Sequence, residues 1–408
     1  MNMNHIIIGI SVAILAMVTS TVVFPWALKF ALDHGIVDNP NARKLQRVPV
    51  PVLGGVVVYS GILLGGLVLM ALMPSNLIAW ALLSMTVMMF IGTLDDVRDL
   101  SAWLRLLIEI LLVSAFIVIT GVYIDNLHGL WGIHELDPLI GIPFSVFAGV
   151  GIINAVNLID GVDGYSSGYG MMACGCFALA FWSVWGTVMV CMALIVIGAL
   201  LPFFLHNVFG QRTRMFIGDG GSLMLGMTMV VMVFYALSSK GKLNVMEADG
   251  MGIGAFLLAV MCVPVFDTVR VMTMRMLRGK SPFKPDKTHL HHLFIDMGFS
   301  HLGAAIFILT INLTVVLIWL LTWQLGASID AQLYVVLALG FLVTFGFYKF
   351  MKAQQNGGPL DEEGYPQGTR LWHTACRLGV WTHKEDKRTW RVMRVIMDRP
   401  MMGKKATF

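Results

Sequence analysis

The stretch AWALLSMTVMMFIGTLDD, residues 79–96, decides the fold class, because an apolar run ends there in two adjacent carboxylates. A helix needs about 20 apolar residues to cross a bilayer, and carboxylates are costly near hydrocarbon, so their presence there points to a function. The whole chain shares this composition: it is 57% hydrophobic and 13% charged, whereas a soluble domain carries about a quarter charged residues. We therefore predict an all-α, polytopic integral membrane protein.

Eleven segments are apolar enough and long enough to span a bilayer as helices. They lie at about residues 5–31, 53–73, 76–94, 102–122, 140–157, 168–186, 188–206, 221–238, 251–269, 303–323 and 331–350. The fifth contains Pro143 and several glycines, which leaves it open to a kink or a partly re-entrant path. The first lacks a preceding basic region and is expected to be retained rather than cleaved.

Basic residues in the loops set the orientation. With eleven spans, the loops after the odd-numbered spans share one side with the C-terminus, and that side carries most of the loop Lys and Arg, whereas the other has only Lys240 and Lys242. The positive-inside rule then places the N-terminus in the periplasm and the C-terminus in the cytoplasm. The prediction is a transmembrane catalytic domain at 1–350, with cytoplasmic loops near 33–52, 95–101, 157–167, 207–220 and 270–302, and a basic cytoplasmic tail at 351–408.

Acid and amide side chains fall on this same cytoplasmic side. They are Asp95, Asp96, Asn157, Asp160, Asp163 and Asp219. The polar residues from 154 to 163 recur every three positions, which on a helix places them along one side. Asp219 stands between glycines ahead of a helix, where a carboxylate can hold magnesium beside phosphate. Each motif alone also suits a capped or solvated helix end, but together they favour metal-assisted chemistry on an anionic, water-soluble substrate.

The loop after the ninth span is basic and ends in His289, His291 and His292. Pro285 bars a helix before it, and a cap just after this proline would start a new helix on which His289 and His292 share a face. A zinc site would need further ligands and has no cysteine nearby, so the basic residues favour contact with phosphate. The other eight histidines, His301 among them, are scattered and are assigned no role.

Five motifs in order resemble the polyprenyl-phosphate N-acetylhexosamine-1-phosphate transferases. They are Pro51-Val-Leu-Gly54-Gly55, Leu94-Asp95-Asp96, Asn154 to Gly164, Phe216 to Ser222, and Ser281-Pro-Phe through His292-Leu. Asp99 stands where the peptidoglycan-precursor branch of this family has a lysine, and Leu290 interrupts the three consecutive histidines of that branch. Both departures favour the branch that primes O-antigen, enterobacterial common antigen or teichoic acid.

The resemblance implies transfer of GlcNAc-1-phosphate from UDP-GlcNAc to undecaprenyl phosphate at the bacterial inner membrane, with Mg²⁺ as cofactor and Mn²⁺ as the alternative ion. A related branch uses UDP-FucNAc or UDP-QuiNAc, which leaves the donor open. The implied roles are metal binding by Asn157 and Asp219, lining of the uridine and sugar-phosphate pocket by Asp160 and Asp163, contact with the lipid phosphate by Asp95 (as base) and Asp96, and contact with diphosphate or sugar by His289, His291 and His292.

Two basic residues add a further expected role: Lys44 and Arg47 precede the second span and could steer the lipid phosphate.

The role of Asp95 depends on the charge of the lipid phosphate. A phosphate monoester has a second pKa near 6, so the nucleophile is already largely ionised at neutral pH. Asp95 is therefore either a base or a residue that positions a cation or the nucleophile, and the sequence leaves both readings open.

A membrane transporter is the main alternative from another class of protein. A transporter would gather its coupling acids near the bilayer midplane on broken helices, whereas these acids lie at span ends. The tail combines basic residues with three tryptophans, a pattern suited to the anionic inner leaflet, although a solvated tail fits equally. No nucleic-acid partner is expected, and a homodimer is left open.

Overall fold

Helices dominate the computed structural model, which describes residues 3–39, 49–282, 288–355 and 397–398. They are α1 (Met3–Asp33), α2 (Gly54–Leu72), α3 (Asn76–Arg98), α4 (Ala102–Thr120), α5 (Pro138–Leu158), α6 (Tyr165–Ser183), α7 (Thr187–Phe209), α8 (Gly218–Leu237), α9 (Ile253–Val260), α10 (Cys262–Leu277), α11 (Leu290–Asp296), α12 (His301–Gln324), α13 (Ile329–Phe341) and α14 (Phe347–Gln355), with a 3-10 turn at Lys242–Glu247 and a π-helical turn at Leu342–Gly346. Two small antiparallel ribbons, β1 (Val37–Asp38) with β2 (Val50–Pro51) and β3 (Asn126–Leu130) with β4 (Ile133–Glu135), are the only strands in the described ranges.

The chain is a multi-pass membrane protein. Within the described ranges, nine helices are long and apolar enough to cross a bilayer, or ten if the consecutive helices α9 and α10 form one bent span. The predicted span at 168–186 does form a helix, α6, but this helix contains Ser166, Ser167 and several glycines and is not among the nine. The prediction of a helical polytopic fold is confirmed at this level, while eleven crossings and the orientation remain predictions.

The break in a span occurs at the ninth segment rather than at the fifth. The axes of α9 and α10 differ by 73°, because Pro264 has no N–H to continue the helix past Val260. Asn312 of α12 stabilises this break, since its Nδ2 donates to Val260 O at 3.0 Å and its Oδ1 accepts from Val263 N at 2.9 Å. Pro143, in contrast, lies inside the continuous helix α5.

Helix α8 forms the centre of the bundle. In its most apolar window 94% of the residues are buried, compared with 22% for α1 and α4. It packs against α2, α3 and α5, and the contact with α3 is very close at Gly92, where an added Cβ would lie 2.4 Å from the carbonyl carbon of Asp219. This packing brings the end of α3 and the end of α5 against the beginning of α8.

Candidate active site

A cavity of about 410 Å³ opens where α3 and α5 end and α8 begins. Each of the five loops predicted to be cytoplasmic contributes to its lining, so the structure brings these loops together at one end of the bundle. The polar residues that line it, seven of them aspartates, are Asp38, Asp95, Asp96, Asp99, Asp160, Asp163, Ser166, Asn207, Asp219, His292 and His301. Such a concentration of carboxylates favours a ligand that brings positive charge with it.

Asp96 holds the beginning of α8. Its Oδ1 accepts from Asp219 N at 3.0 Å and its Oδ2 accepts from Gly220 N at 3.3 Å. A carboxylate at a helix N-terminus satisfies free N–H groups and is favoured by the helix dipole. Asp96 therefore lines the cavity and also fixes the backbone of the neighbouring acid.

Asp219, which lines the cavity, is paired with Asn157, which does not line it. Asn157 Nδ2 donates to Asp219 Oδ1 at 2.9 Å and to Ser222 Oγ at 2.9 Å. The Asp219 side chain is 38% exposed and so can reach a bound ligand. Because Asn157 uses its nitrogen for these bonds, its amide oxygen is the atom that can act as a ligand.

Arg105 of α4 faces three carboxylates. Its Nη1 lies 2.8 Å from Asp95 Oδ2 and 3.7 Å from Asp219 Oδ2, and its Nε lies 3.8 Å from Glu109 Oε1. The other oxygen of Asp95 accepts from Leu100 N at 2.7 Å. Both oxygens of Asp95 are thus engaged within the protein, and one guanidinium cannot neutralise all three acids.

The polar stripe from 154 to 163 does not run along a single helix face. Helix α5 ends at Leu158, and Asn154 donates instead to Glu109 of α4. Asp160 and Asp163 follow in the loop, where the backbone is no longer helical. The prediction of one polar face was wrong because the helix ends before the last two members of the repeat.

The two loop carboxylates differ in charge. Burial raises the pKa of Asp160 to about 7, and the nearby Asp219 and Asp163 add to this effect although Ser166 Oγ donates to it. Burial also acts on Asp163, but His301 and Arg214 outweigh it and hold the pKa of Asp163 below its ordinary value. Asp163 is therefore an ionised, paired acid, whereas Asp160 changes protonation near neutral pH.

Asp160→Asn should raise the melting temperature of the protein by several degrees at pH 8 in EDTA. The folded-state pKa of Asp160 is about 7 and the ordinary value is 3.8. Burying this side chain therefore destabilises the fold most above pH 7, where it must be buried as a charged carboxylate. Below pH about 4 the acid is protonated in both states and the advantage of asparagine should disappear. Thermal melts at both pH values check this, and an equal effect at both would contradict it.

His289 precedes a helix rather than lying inside it, and its side chain contacts a buried acid. Helix α11 begins at Leu290, one residue later than a helix containing His289 requires, and His289 is its N-cap. Its Nδ1 donates to Asp267 Oδ2 at 2.9 Å, and Asp267 Oδ1 accepts from Arg270 Nη2 at 2.6 Å. Arg270 is buried and stacks on Tyr348 at 3.9 Å. This arginine therefore stabilises the interior of the loop and does not lie on its surface.

The other two histidines occupy different depths. His291 is buried against Gly161, where an added Cβ would lie 2.3 Å from its Nε2. Burial lowers the pKa of His291 well below its ordinary value, with the charges of the neighbouring His292 and His289 acting in the same direction. Of the three, His292 is the one that lines the cavity, and contact of the other two with substrate stays a prediction.

Sequence reasoning missed several residues of this site, among them Arg105, Glu109, Arg214 and His301. Arg105 and Glu109 lie four residues apart inside an apolar span, and that pairing was the available signal. His301, assigned no role from the sequence, has its Nδ1 3.0 Å from Asp163 Oδ2. The predicted substrate residues Lys44 and Arg47 lie outside the described residues.

Comparison with known proteins identifies the family. The model of glycosyl transferase family 4 matches residues 78–237, the range that contains α3, α5 and α8 with their acids. The undecaprenyl-phosphate alpha-N-acetylglucosaminyl 1-phosphate transferase of Escherichia coli (strain K12) is 30% identical over 287 residues, which are 69% of this chain and 75% of the relative. The chain belongs to glycosyl transferase family 4.

Two further relatives extend this family assignment. The enzyme of the same name from Yersinia pestis is 29% identical over 287 residues, 69% of this chain and 75% of the relative. The probable undecaprenyl-phosphate N-acetylglucosaminyl 1-phosphate transferase of Bacillus subtilis (strain 168) is 30% identical over 290 residues, 71% of this chain and 77% of the relative. This family member is a phosphoglycosyltransferase, and the resemblance first drawn from five motifs is confirmed.

Proposed function

We propose that this phosphoglycosyltransferase transfers GlcNAc-1-phosphate from UDP-GlcNAc to undecaprenyl phosphate in the bacterial inner membrane. An oxygen of the lipid phosphate attacks the β-phosphorus of the donor, the bond to the α-phosphate breaks, and UMP leaves. The products are undecaprenyl-diphospho-GlcNAc and UMP, the priming step of a lipid-linked surface polysaccharide. The observation that carries the proposal is the aspartate-rich cavity at the ends of apolar helices, together with the names of the relatives.

A magnesium ion held by Asn157 and Asp219 belongs to this proposal, with manganese as the alternative. Among the described residues no group of three or more His, Cys, Asp or Glu side chains could hold a metal, so protein ligands alone do not enclose an ion there. Two oxygen ligands beside a diphosphate suit magnesium, which keeps water and substrate oxygens in its coordination sphere. When bound, the ion would offset negative charge on the diphosphate.

The residues around this pair would then act by position. Asp96 fixes the backbone of Asp219 and Gly220, which keeps the ligand carboxylate directed into the cavity. Asp163 is paired with Arg214 and so presents little free charge to the donor. His292 and His301 line the cavity and are placed to donate hydrogen bonds to sugar or phosphate oxygens.

Asp95 is proposed to position Arg105 rather than to act as a base, because both of its oxygens already accept hydrogen bonds. Asp95→Asn should therefore lower kcat at every pH by a similar factor. If Asp95 were the base, its loss would lower kcat most below the second pKa of the lipid phosphate, near 6, and little at pH 8, where that phosphate is already ionised. Measuring kcat from pH 5.5 to 9 in both proteins decides between the two, and a loss confined to the acidic side would restore the base.

Release of UMP by the purified protein in detergent with magnesium tests the function. The donors would be UDP-GlcNAc, UDP-GalNAc and UDP-MurNAc-pentapeptide, each with and without undecaprenyl phosphate, and we expect lipid-dependent release with UDP-GlcNAc. Lipid-dependent release with a different donor would keep the reaction and change the sugar, for which UDP-FucNAc and UDP-QuiNAc are the next candidates. Folded protein that releases no UMP from any pair would overturn the proposal.

A further inference from the structure

A carboxylate from the C-terminal tail lies in the loop between α7 and α8. Asp398 Oδ1 accepts from three consecutive backbone amides, Gln211 N at 3.1 Å, Arg212 N at 3.0 Å and Thr213 N at 3.3 Å. It also accepts from Thr213 Oγ1 at 3.3 Å. Asp398 is only 9% exposed, and successive N–H groups that donate to one anion form a strong anion-binding site.

The loop that receives Asp398 leads directly into the cavity. The residue after Thr213 is Arg214, which is paired with Asp163. The next one, Met215, accepts through its carbonyl from Asn207 Nδ2 at 2.9 Å, and Asn207 Oδ1 accepts from Gly164 N at 2.7 Å. The loop therefore joins the tail to the segment that carries Asp160 and Asp163.

Regular structure does not hold this loop in place. Residues 210–217 form neither helix nor strand, and the side chains of Gln211 and Arg212 are exposed. On one side of Arg214 the loop is held by Asp398 and by His206 Nδ1, which lies 3.1 Å from Thr213 Oγ1. On the other side it is held by the bond from Asn207 to Met215 O and by Phe216 N, which donates to Pro51 O at 2.8 Å. Arg214 lies between these two sets of contacts, and Asp398 supplies most of the hydrogen bonds of the first set.

We infer that Asp398 is a positioning residue for the donor site: its carboxylate holds the 211–213 backbone and thereby places Arg214 on Asp163. This inference rests on the proposed function, because it assigns the Asp163 side of the cavity to the nucleotide sugar. Asp219 and Asn157 are held by α8 and α5 and do not depend on the tail. Loss of the carboxylate should therefore weaken donor binding and leave the chemical step intact.

The consequence can be expressed in kinetic terms. Asp398→Ala should raise KM for the UDP-sugar by about tenfold, equivalent to about 1.4 kcal/mol, because the loop loses a charged hydrogen-bond acceptor, while kcat and KM for undecaprenyl phosphate stay unchanged. Asp398→Asn keeps one acceptor oxygen and should lie between Asp398→Ala and the wild type. Met397→Ala is the matched control, because Thr213 Oγ1 faces the backbone carbonyl of Met397, which this substitution keeps.

A double-mutant cycle separates positioning from a general loss of stability. If Asp398 acts through Arg214, the KM of Asp398→Ala/Arg214→Gln should equal that of Arg214→Gln alone. If the two residues acted independently, their separate fold-increases in KM would multiply. Hydrogen exchange of the full-length protein gives a second measurement, in which the 211–213 amides should exchange faster in Asp398→Asn while α8 is unaffected.

The outcomes are distinct. A wild type that shows no lipid-dependent UMP release would refute the proposed function, whatever Asp398 does. An active wild type whose donor KM is unchanged in Asp398→Ala, or a cycle in which the two effects multiply, would refute the positioning role alone. Should Asp398→Ala fail to fold, the isosteric Asp398→Asn provides the same comparison in KM and in amide exchange.

Discussion

Asp219→Ala is expected to lower kcat/KM for lipid-dependent UMP release by about 10³-fold or more, because a bound metal supplies several kcal/mol of charge stabilisation in phosphoryl transfer. The substitution removes the proposed ligand oxygen and also the acceptor that orients Asn157. Donor-dependent UMP release in the presence of magnesium measures it, with circular dichroism and a thermal melt to show that the variant is folded.

The variant Asp99→Asn is the control for the loss of one negative charge. Asp99 lines the same cavity at the end of α3 and has a positive φ of 49°, which asparagine tolerates. This variant also removes one negative charge from the cavity but no proposed ligand, so its activity should stay close to that of the wild type. Equal losses in both variants would mean that Asp219 contributes through general electrostatics and would contradict its role as a ligand.

Gly92→Ala should lower activity by about 100-fold and reduce the melting temperature, since overpacking a tight contact costs about 1–3 kcal/mol and displaces backbone. An alanine Cβ at this position would lie 2.4 Å from both the carbonyl carbon and the carbonyl oxygen of Asp219. Backbone atoms cannot rotate away as a side chain can. The ends of α3 and α8 must therefore separate, which pulls Asp96 from the amides that it caps.

Gly151→Ala provides the matched comparison for this prediction. Gly151 lies within α5, also a glycine inside an apolar helix, and an added Cβ there would meet nothing within 4 Å. Alanine favours the helix more than glycine does, so activity should be unchanged and the melting temperature equal or slightly higher. A fully active Gly92→Ala protein would show that the α3–α8 contact does not control the site.

The predictable parts of the fold are those that depend on local sequence composition. Apolar runs of the right length became helices, and the acids at their ends came together at one cavity. The sequence left a kink or a partly re-entrant path open at Pro143 and did not indicate the break at the ninth segment, because a proline at Pro143 or Pro264 has the same local signature. The difference lies in the tertiary contact made by Asn312, which satisfies the carbonyl groups that the break at Pro264 leaves free.

The interior of the site was less predictable because its contacts join distant parts of the chain. Asp96 caps an amide 123 residues away, and His301 lies against the amide of Asp163 across 138 residues. Spacing along a sequence reveals neighbours on one helix but not neighbouring helices. Arg105 illustrates this limit: its position in an apolar span was visible, yet its role as the cation between Asp95 and Asp219 depends on how three helices pack.

The burial of α8 among the other helices affects the order in which the site is assembled during synthesis. This helix is less hydrophobic than α7, with a mean hydropathy of 1.8 against 2.8, so lipid attracts it less once it leaves the translocon. Its partners α2, α3 and α5 all precede it in the chain and are synthesised first. Asp219 of α8 therefore meets Asp95 and Asp96 of α3 only after α8 has packed among these earlier helices. His292 and His301 complete the cavity once α11 and α12 have followed, which makes maturation of the enzyme a stepwise process.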